Sequence, residues 1–339
     1  MRARLDPFTL ILLGTIALAS FLPAQPPLAD WLDHASVFAV ALLFFLHGAA
    51  LSRDEVLNGA MHWRLHLVIA SLTFIVFPLL VLPTTLLAPQ IIPEDLAVGF
   101  LYLGVLPSAV SSSIAFTAMA RGNVPAAICS AAASNVFGMM LTPFLLILLV
   151  SSSGGSFAVS EALRDIFLQL LLPFAAGQAV RPLIGGFLNR HKSLSGRYDQ
   201  SVILLIVYTA FSQSVVDGLW QKLPLLSIFA AIALCGLLLA VVITLARFAS
   251  RRFGFSLADE AAVVFCGSKK SLASGLPMAK VLFAGHPGFG MIVLPIMCYN
   301  QIQILAGAFI ARRYERRILD ESNEEGHTQD VAKASRNAP

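Results

Sequence analysis

The chain has 339 residues, is 57% hydrophobic and only 12% charged, and has a mean hydropathy of +0.79, which lies outside the range of soluble globular domains. Its formal net charge of +4 comes without a basic groove or interleaved stacking aromatics, which excludes nucleic acid as a partner. The composition is that of an integral membrane protein surrounded by a lipid bilayer.

A helix needs about 20 mostly apolar residues to cross about 30 Å of hydrocarbon. Ten such spans are predicted, at about 8–23, 31–50, 65–86, 95–120, 124–150, 161–183, 199–217, 224–248, 257–283 and 289–311. The first, in "MRARLDPFTLILLGTIALASFLPAQ", has the basic start and apolar core of a signal peptide. Its removal would leave nine spans and put every later basic loop on the wrong side, so it is read as span one. His47, near the inner end of span two, and Pro78, in span three, read as an interfacial polar residue and a kink.

Span four reads "LYLGVLPSAVSSSIAF". Pro107 removes a backbone donor there, and Ser111, Ser112 and Ser113 supply hydroxyls that a disrupted helix can use. In span five, "CSAAASNVFGMMLTP" puts Ser130 and Ser134 on one helix face with Asn135 beside them. A serine alone is compatible with close helix packing; an amide in hydrocarbon must find partners. Span nine, "FCGSKKSLASGLPMAK", sets Lys269 and Lys270 near mid-span, with Gly267 before them and Gly275-Leu276-Pro277 after. A central lysine costs about 2.5–3.5 kcal/mol to insert, so the pair is tolerated only where protein or water solvates it. In span ten, "PIMCYNQIQILAG" crowds Asn300, Gln301 and Gln303 into one turn, which suggests a water-accessible face or interhelical hydrogen bonds. The four cysteines fall within spans at irregular spacing and indicate neither disulfides nor a zinc site. The tail over 312–339 is polar and is expected to be a short helical extension followed by disorder.

Loops rich in Lys and Arg stay cytoplasmic. With the N-terminus inside, eighteen of the 23 Lys and Arg fall in cytoplasmic segments and only Lys222 in an outer loop, so both termini are expected in the cytoplasm. Ten spans make two sets of five that enter the membrane from opposite sides, the logic of an inverted repeat over about 5–150 and 161–311. Ser113-Ile114-Ala115 matches Ser271-Leu272-Ala273 faintly, in the fourth span of each half. Both spans read as broken helices, whose exposed ends hold anions at their amides and cations at their carbonyls.

These stretches, over about 300 residues, resemble the bile acid:sodium symporter family, solute carrier family 10, and most closely its seventh-member-like branch, where a Lys-Ser-Leu follows the break as Lys270-Ser271-Leu272 does here. The resemblance implies an all-α membrane protein of ten transmembrane helices, with a four-helix panel, a six-helix core in which helices 4 and 9 cross, and alternating access between them. It also implies a sodium site to which Ser112, Ser113, Ser130 and Ser134 correspond. The family's acidic and amide motif in helix nine is here Phe265-Cys266-Gly267-Ser268-Lys269, and Thr73 stands for a glutamine in helix three. That replacement bears against sodium coupling: an ammonium with three donors can take the place of a bound cation.

The expected function is therefore secondary transport of a small organic anion in a bacterial inner membrane. No cofactor is expected, and sodium or a proton is the candidate coupling ion. The site residues are Thr73, Ser111, Ser112, Ser113, Ser130, Ser134, Asn135, Lys269, Lys270, Ser271, Asn300, Gln301 and Gln303. A cation/proton exchanger of the same architecture is the alternative, but such exchangers need a titrating carboxylate in the core and none is read there. An enzyme is not expected, because the histidines at span ends or in loops lack ligand or triad spacing.

Overall fold

The computed structural model describes residues 7–50, 62–152, 164, 167–218, 221 and 223–336. Arg2, Arg4, Arg53 and Lys222, used for orientation, and the start of the predicted sixth span lie outside these residues. Among the described residues the regular structure is entirely helical. In chain order the helices are α1 (Pro7–Phe21), α2 (Leu28–Ala50), α3 (Trp63–Leu87), α4 (Glu94–Val105), α5 (Val110–Met119), α6 (Val124–Ser152), α7 (Leu172–Arg190, entered through a π turn at Phe167–Leu171), α8 (Lys192–Val216), α9 (Leu225–Arg252), α10 (Leu257–Ser268), α11 (Leu272–Leu282) and α12 (Phe289–Arg336). Among the described residues seven helical stretches are long and apolar enough to cross a membrane, and α4 with α5, bent by 60° at their junction, makes an eighth if the pair is one span.

The helices sort into two groups. In one, α2 packs along α7 and α8, and α1 along α8. The α2–α7 contact is close because glycines form it: a Cβ on Gly48 would lie 2.1 Å from the Phe174 carbonyl oxygen, and one on Gly177 2.0 Å from that of Phe45. Without a hydrophobic force between helices in lipid, such close approach is what joins them. The other group gathers α3, α4, α5, α6, α9, α10, α11 and α12. The seam between the groups is formed chiefly where α8 meets α11 and α12.

Three helices of the second group are interrupted, each for a local reason. In α3 a π turn spans Leu72–Val76 just before Pro78. Proline has no N–H to give the preceding turn, and a π turn re-registers the hydrogen bonds, so carbonyls there are free for other donors. Between α4 and α5 the backbone is extended at Leu106 and Ala109, around Pro107. Between α10 and α11 it is extended at Lys269 and Ser271. The helix at the C-terminus continues to Arg336.

Candidate functional site

The two breaks meet. Ser271 N–H donates to the Pro107 carbonyl at 3.0 Å, and Ala109 N–H points to that of Lys269 at 3.4 Å. A broken helix leaves carbonyls at the end of its first half and amides at the start of its second. At this crossing the carbonyls are taken up by side chains.

Lys270 is 1% exposed. Its Nζ donates to three carbonyl oxygens: Thr73 in the π turn at 3.0 Å, Gly104 at 2.8 Å and Leu106 at 2.7 Å, the last two at the end of α4. An ammonium has three donors, so this one is saturated, and its charge also lies 4.0 Å from the centre of the Phe77 ring. Lys269, 2% exposed, donates to the Gln303 carbonyl at 3.0 Å and sits 4.1 Å over the Phe116 ring. A side chain at Gly307 would collide with it, since a Cβ there would lie 2.8 Å from Nζ. The Gln303 side chain clamps the break itself, accepting from Lys270 N–H and donating to the Lys270 carbonyl, both at 2.9 Å, and donating also to Asn300 at 3.0 Å.

The remaining carbonyls follow the same rule. Thr142 donates to Val105 O at 2.7 Å, Ser113 to Phe265 O at 3.0 Å, Ser108 to Cys266 O at 2.7 Å and Tyr299 to Ser268 O at 2.6 Å. Ser134 Oγ accepts from Ser108 N–H at 2.9 Å, Asn135 donates to Ser108 O at 3.3 Å, and Ser274 donates to Asn135 Oδ1 at 2.6 Å. The result is a buried polar lattice in which each partner is matched, the condition under which such groups are tolerated.

The amide side of the crossing opens on a cavity of about 520 Å³. Ala109, Val110, Ser111 and Ser112 at the start of α5 face it, as do Ser271, Leu272, Ala273 and Ser274 at the start of α11. The N-terminus of α5 has no side-chain cap, whereas Ser271 Oγ caps α11 by accepting from Ser274 N–H at 3.1 Å. Asn135 and Asn300 also line the cavity, and His47 and Asp199 line it from α2 and α8.

Of the expected site residues, Ser111, Ser112, Asn135, Ser271 and Asn300 thus surround the cavity, while Ser113, Ser134, Gln303 and both lysines form the lattice behind it. Thr73 contributes its carbonyl; its hydroxyl donates within its own helix to Ile69 at 2.9 Å. Two residues stand apart. Ser130 pairs with His66 Nδ1 at 2.6 Å, and Gln301 accepts from Thr9 of α1 at 2.9 Å. Ser113, Ser130 and Ser134 thus have different partners, and Ser112 lines the cavity. The carbonyls at the end of α4 that could ligate a cation already accept from Lys270.

The faint sequence match is out of register by one turn: Ser271 caps α11, but the residue at that place before α5 is Ala109, four before Ser113. Ser108, Tyr299 and Thr142 were missed although the first sits beside Pro107 in the quoted stretch. The absence of core carboxylates also needs correction. Glu260 is 2% exposed but bonded to Tyr314 at 2.5 Å and near Arg251, about 12 Å of helix before the break; Asp199 reaches the cavity from the other helical group, which no reading of spans four and nine includes.

The amino-acid sequence matches the SBF-like CPA transporter family over residues 6–316. The chain belongs to this family. It is a transporter, not an enzyme, and a multi-pass membrane protein. It is 48% identical over 314 residues to YfeH of Escherichia coli, covering 92% of this chain and 93% of that one. An uncharacterized protein of Pseudomonas aeruginosa is 48% identical over 313 residues, with 92% and 93% covered. Sodium/bile acid cotransporter 7 of Rattus norvegicus is 36% identical over 282 residues, with 81% of each chain covered. In this SBF-like transporter, the lysine pair that seemed costly is a built part of the helix crossing.

Proposed function

We propose that the protein is a secondary transporter that carries a small organic anion through the seam between its two helical groups by alternating access. The observation that carries the reading is the division of charge at the crossing. The carbonyl end of α4 is neutralised by Lys270, and two helix N-termini, each equivalent to roughly half a positive charge, open on a cavity of about 520 Å³. That volume falls within the roughly 300–1,000 Å³ of pockets for small organic molecules. An anion suits amide ends. The Lys270 ammonium stands where a coupling cation would sit, so transport needs no sodium.

Alternating access is supported by a second cavity of about 630 Å³ at the opposite end of the same seam, lined by Asp33, Thr209, Asp217, Lys280 and Phe289 among others. Counting α1, and α10 with α11, as spans gives ten in two inverted sets of five. The distribution of basic residues supports cytoplasmic termini in a bacterial inner membrane, so the cavity beside the start of α1 faces the cytoplasm.

The test is thermal unfolding of the purified protein with a panel of organic anions, taurocholate included, with and without sodium. A ligand at about 100 times its Kd stabilises the folded state by about 2.7 kcal/mol. Stabilisation by an anion in sodium-free buffer is the expected result. Stabilisation that requires sodium would overturn the tethered-cation reading, and stabilisation by organic cations alone would overturn the anion reading.

A further inference from the structure

We infer that His47 and Asp199 form a protonation site that sets the charge of the cavity and makes a proton the co-ion of the transported anion, an inference that rests on the anion reading above. Among the described residues lining the cavity, these two carry the ionisable side chains; the others are apolar residues, serines, amides and glycine. His47 Nε2 lies 3.2 Å from Asp199 Oδ2. The two side chains are 27% and 24% exposed, so water reaches both. By its place near the inner end of span two His47 reads as an interfacial residue; its partner is 152 positions away.

The electrostatics follow from the pair's two states. With His47 neutral, the carboxylate puts one negative charge on a wall facing the N-termini of α5 and α11, and it opposes an anion there. A proton taken from water at the cavity mouth onto the free ring nitrogen makes an imidazolium beside the carboxylate, a pair of net charge zero. The helix N-termini then act on the anion unopposed. Only an N–H bond forms on loading and breaks on release, and the proton returns to water on the other side with the anion. Histidine is suited to this because its ordinary pKa lies in the physiological range.

Other charges around His47 do not duplicate the role. From α7, Arg181 lies on the side toward α2, its Cγ 3.0 Å from where a Cβ on Gly185 would stand beside the Ala49 carbonyl, and a guanidinium keeps its charge at any physiological pH, so it cannot switch. On α8, Arg197 is exposed and two residues from Asp199, hence on nearly the opposite side of that helix. Asp30, Asp33 and His34 belong to the far end of α2, where Lys280 of α11 pairs with Asp33. The π turn before α7 contributes no charge, and the Phe44 ring meets His47 edge-on at 6.3 Å.

The experiment reads the potential in the cavity without a substrate. A cysteine replaces Ala132, which lines the cavity, in the full-length protein in proteoliposomes. It is modified with anionic 2-sulfonatoethyl or cationic 2-trimethylammonioethyl methanethiosulfonate, with the parent protein as baseline. The ratio of the two rates cancels the thiol's own ionisation. Between pH 5.5 and 8.5 the anionic-to-cationic ratio is expected to fall at least about threefold, to stay flat in His47→Gln, and in Asp199→Asn, which keeps the imidazole but loses the negative charge, to lie above the parent's ratio at pH 8.5. Both variants are checked for folding by size-exclusion chromatography, and either one suffices. A flat ratio in the parent Ala132→Cys protein, a fall that persists in His47→Gln, or a ratio in Asp199→Asn no higher than the parent's at pH 8.5 would overturn the inference. Failure of the anion panel with the fall intact would instead overturn the anion reading and leave the protonation site standing.

Discussion

At the scale of the residue, the two lysines differ in what they hold. Lys270 satisfies three carbonyls from two helices, whereas Lys269 satisfies one and lies on a phenyl ring. A buried acceptor left without a donor costs about 1–3 kcal/mol. Lys270→Met is therefore expected to lower stability by several kcal/mol, about 3 or more, and Lys269→Met by distinctly less. Thermal unfolding of the two purified variants in one detergent measures the order; equal losses would show that the three-carbonyl grip adds nothing. Lys270→Gln is expected to lose stability as well, since its amide has two donors for three acceptors. Gln303 permits a second test. Gln303→Leu removes both hydrogen bonds that clamp Lys270 and is expected to destabilise by about 2 kcal/mol or more, and Gln303→Glu, which sets a carboxylate oxygen against the Lys270 carbonyl, should not recover that loss. Unchanged stability in Gln303→Leu would argue that the clamp is filler.

At the scale of the element, breaks and close approaches decide the fold. The α2–α7 contact leaves no room for a Cβ at Gly48 or Gly177, so Gly48→Val or Gly177→Val should greatly reduce the yield of monodisperse protein. Gly236→Ala, at a glycine with open space around it, serves as the control and should be neutral. Normal yield of both valine variants would mean that α2 and α7 do not pack this closely. The breaks were legible in the sequence because proline and glycine mark them locally. Pro107 and the Gly267–Pro277 region announced interrupted helices, and the serines around them announced free backbone groups. The partner of each freed group was not legible: nothing in "LTFIVFP" says that the Thr73 carbonyl will face a lysine 197 residues later.

At the scale of the whole molecule, the seam between the two groups is bridged at one end. Lys280 of α11 bonds to Asp33 of α2 beside the second cavity and so ties the two groups together at that end. Asp33→Asn is expected to raise several-fold the labelling of a cysteine at Ser111 by an impermeant reagent applied from the Asp33 side. Asp33→Lys with Lys280→Asp should restore the lower rate. An unchanged rate in Asp33→Asn would leave the pair as a surface contact, the usual fate of an exposed ion pair.

The sequence by itself determined the membrane setting, the helical class, where the helices break and which side chains are too costly to leave unpartnered in lipid. These are local properties: apolar run length, a proline without its N–H, a charge that must be solvated. Only the tertiary structure decided which face of the crossing carries the lysines and which opens on the cavity, that Ser130 and Gln301 turn elsewhere, and that His47 meets Asp199. Those outcomes depend on how separate helices rotate against one another. In a bilayer that rotation is set by packing and hydrogen bonding between helices rather than by hydrophobic patterning, because every lipid-facing surface is equally apolar.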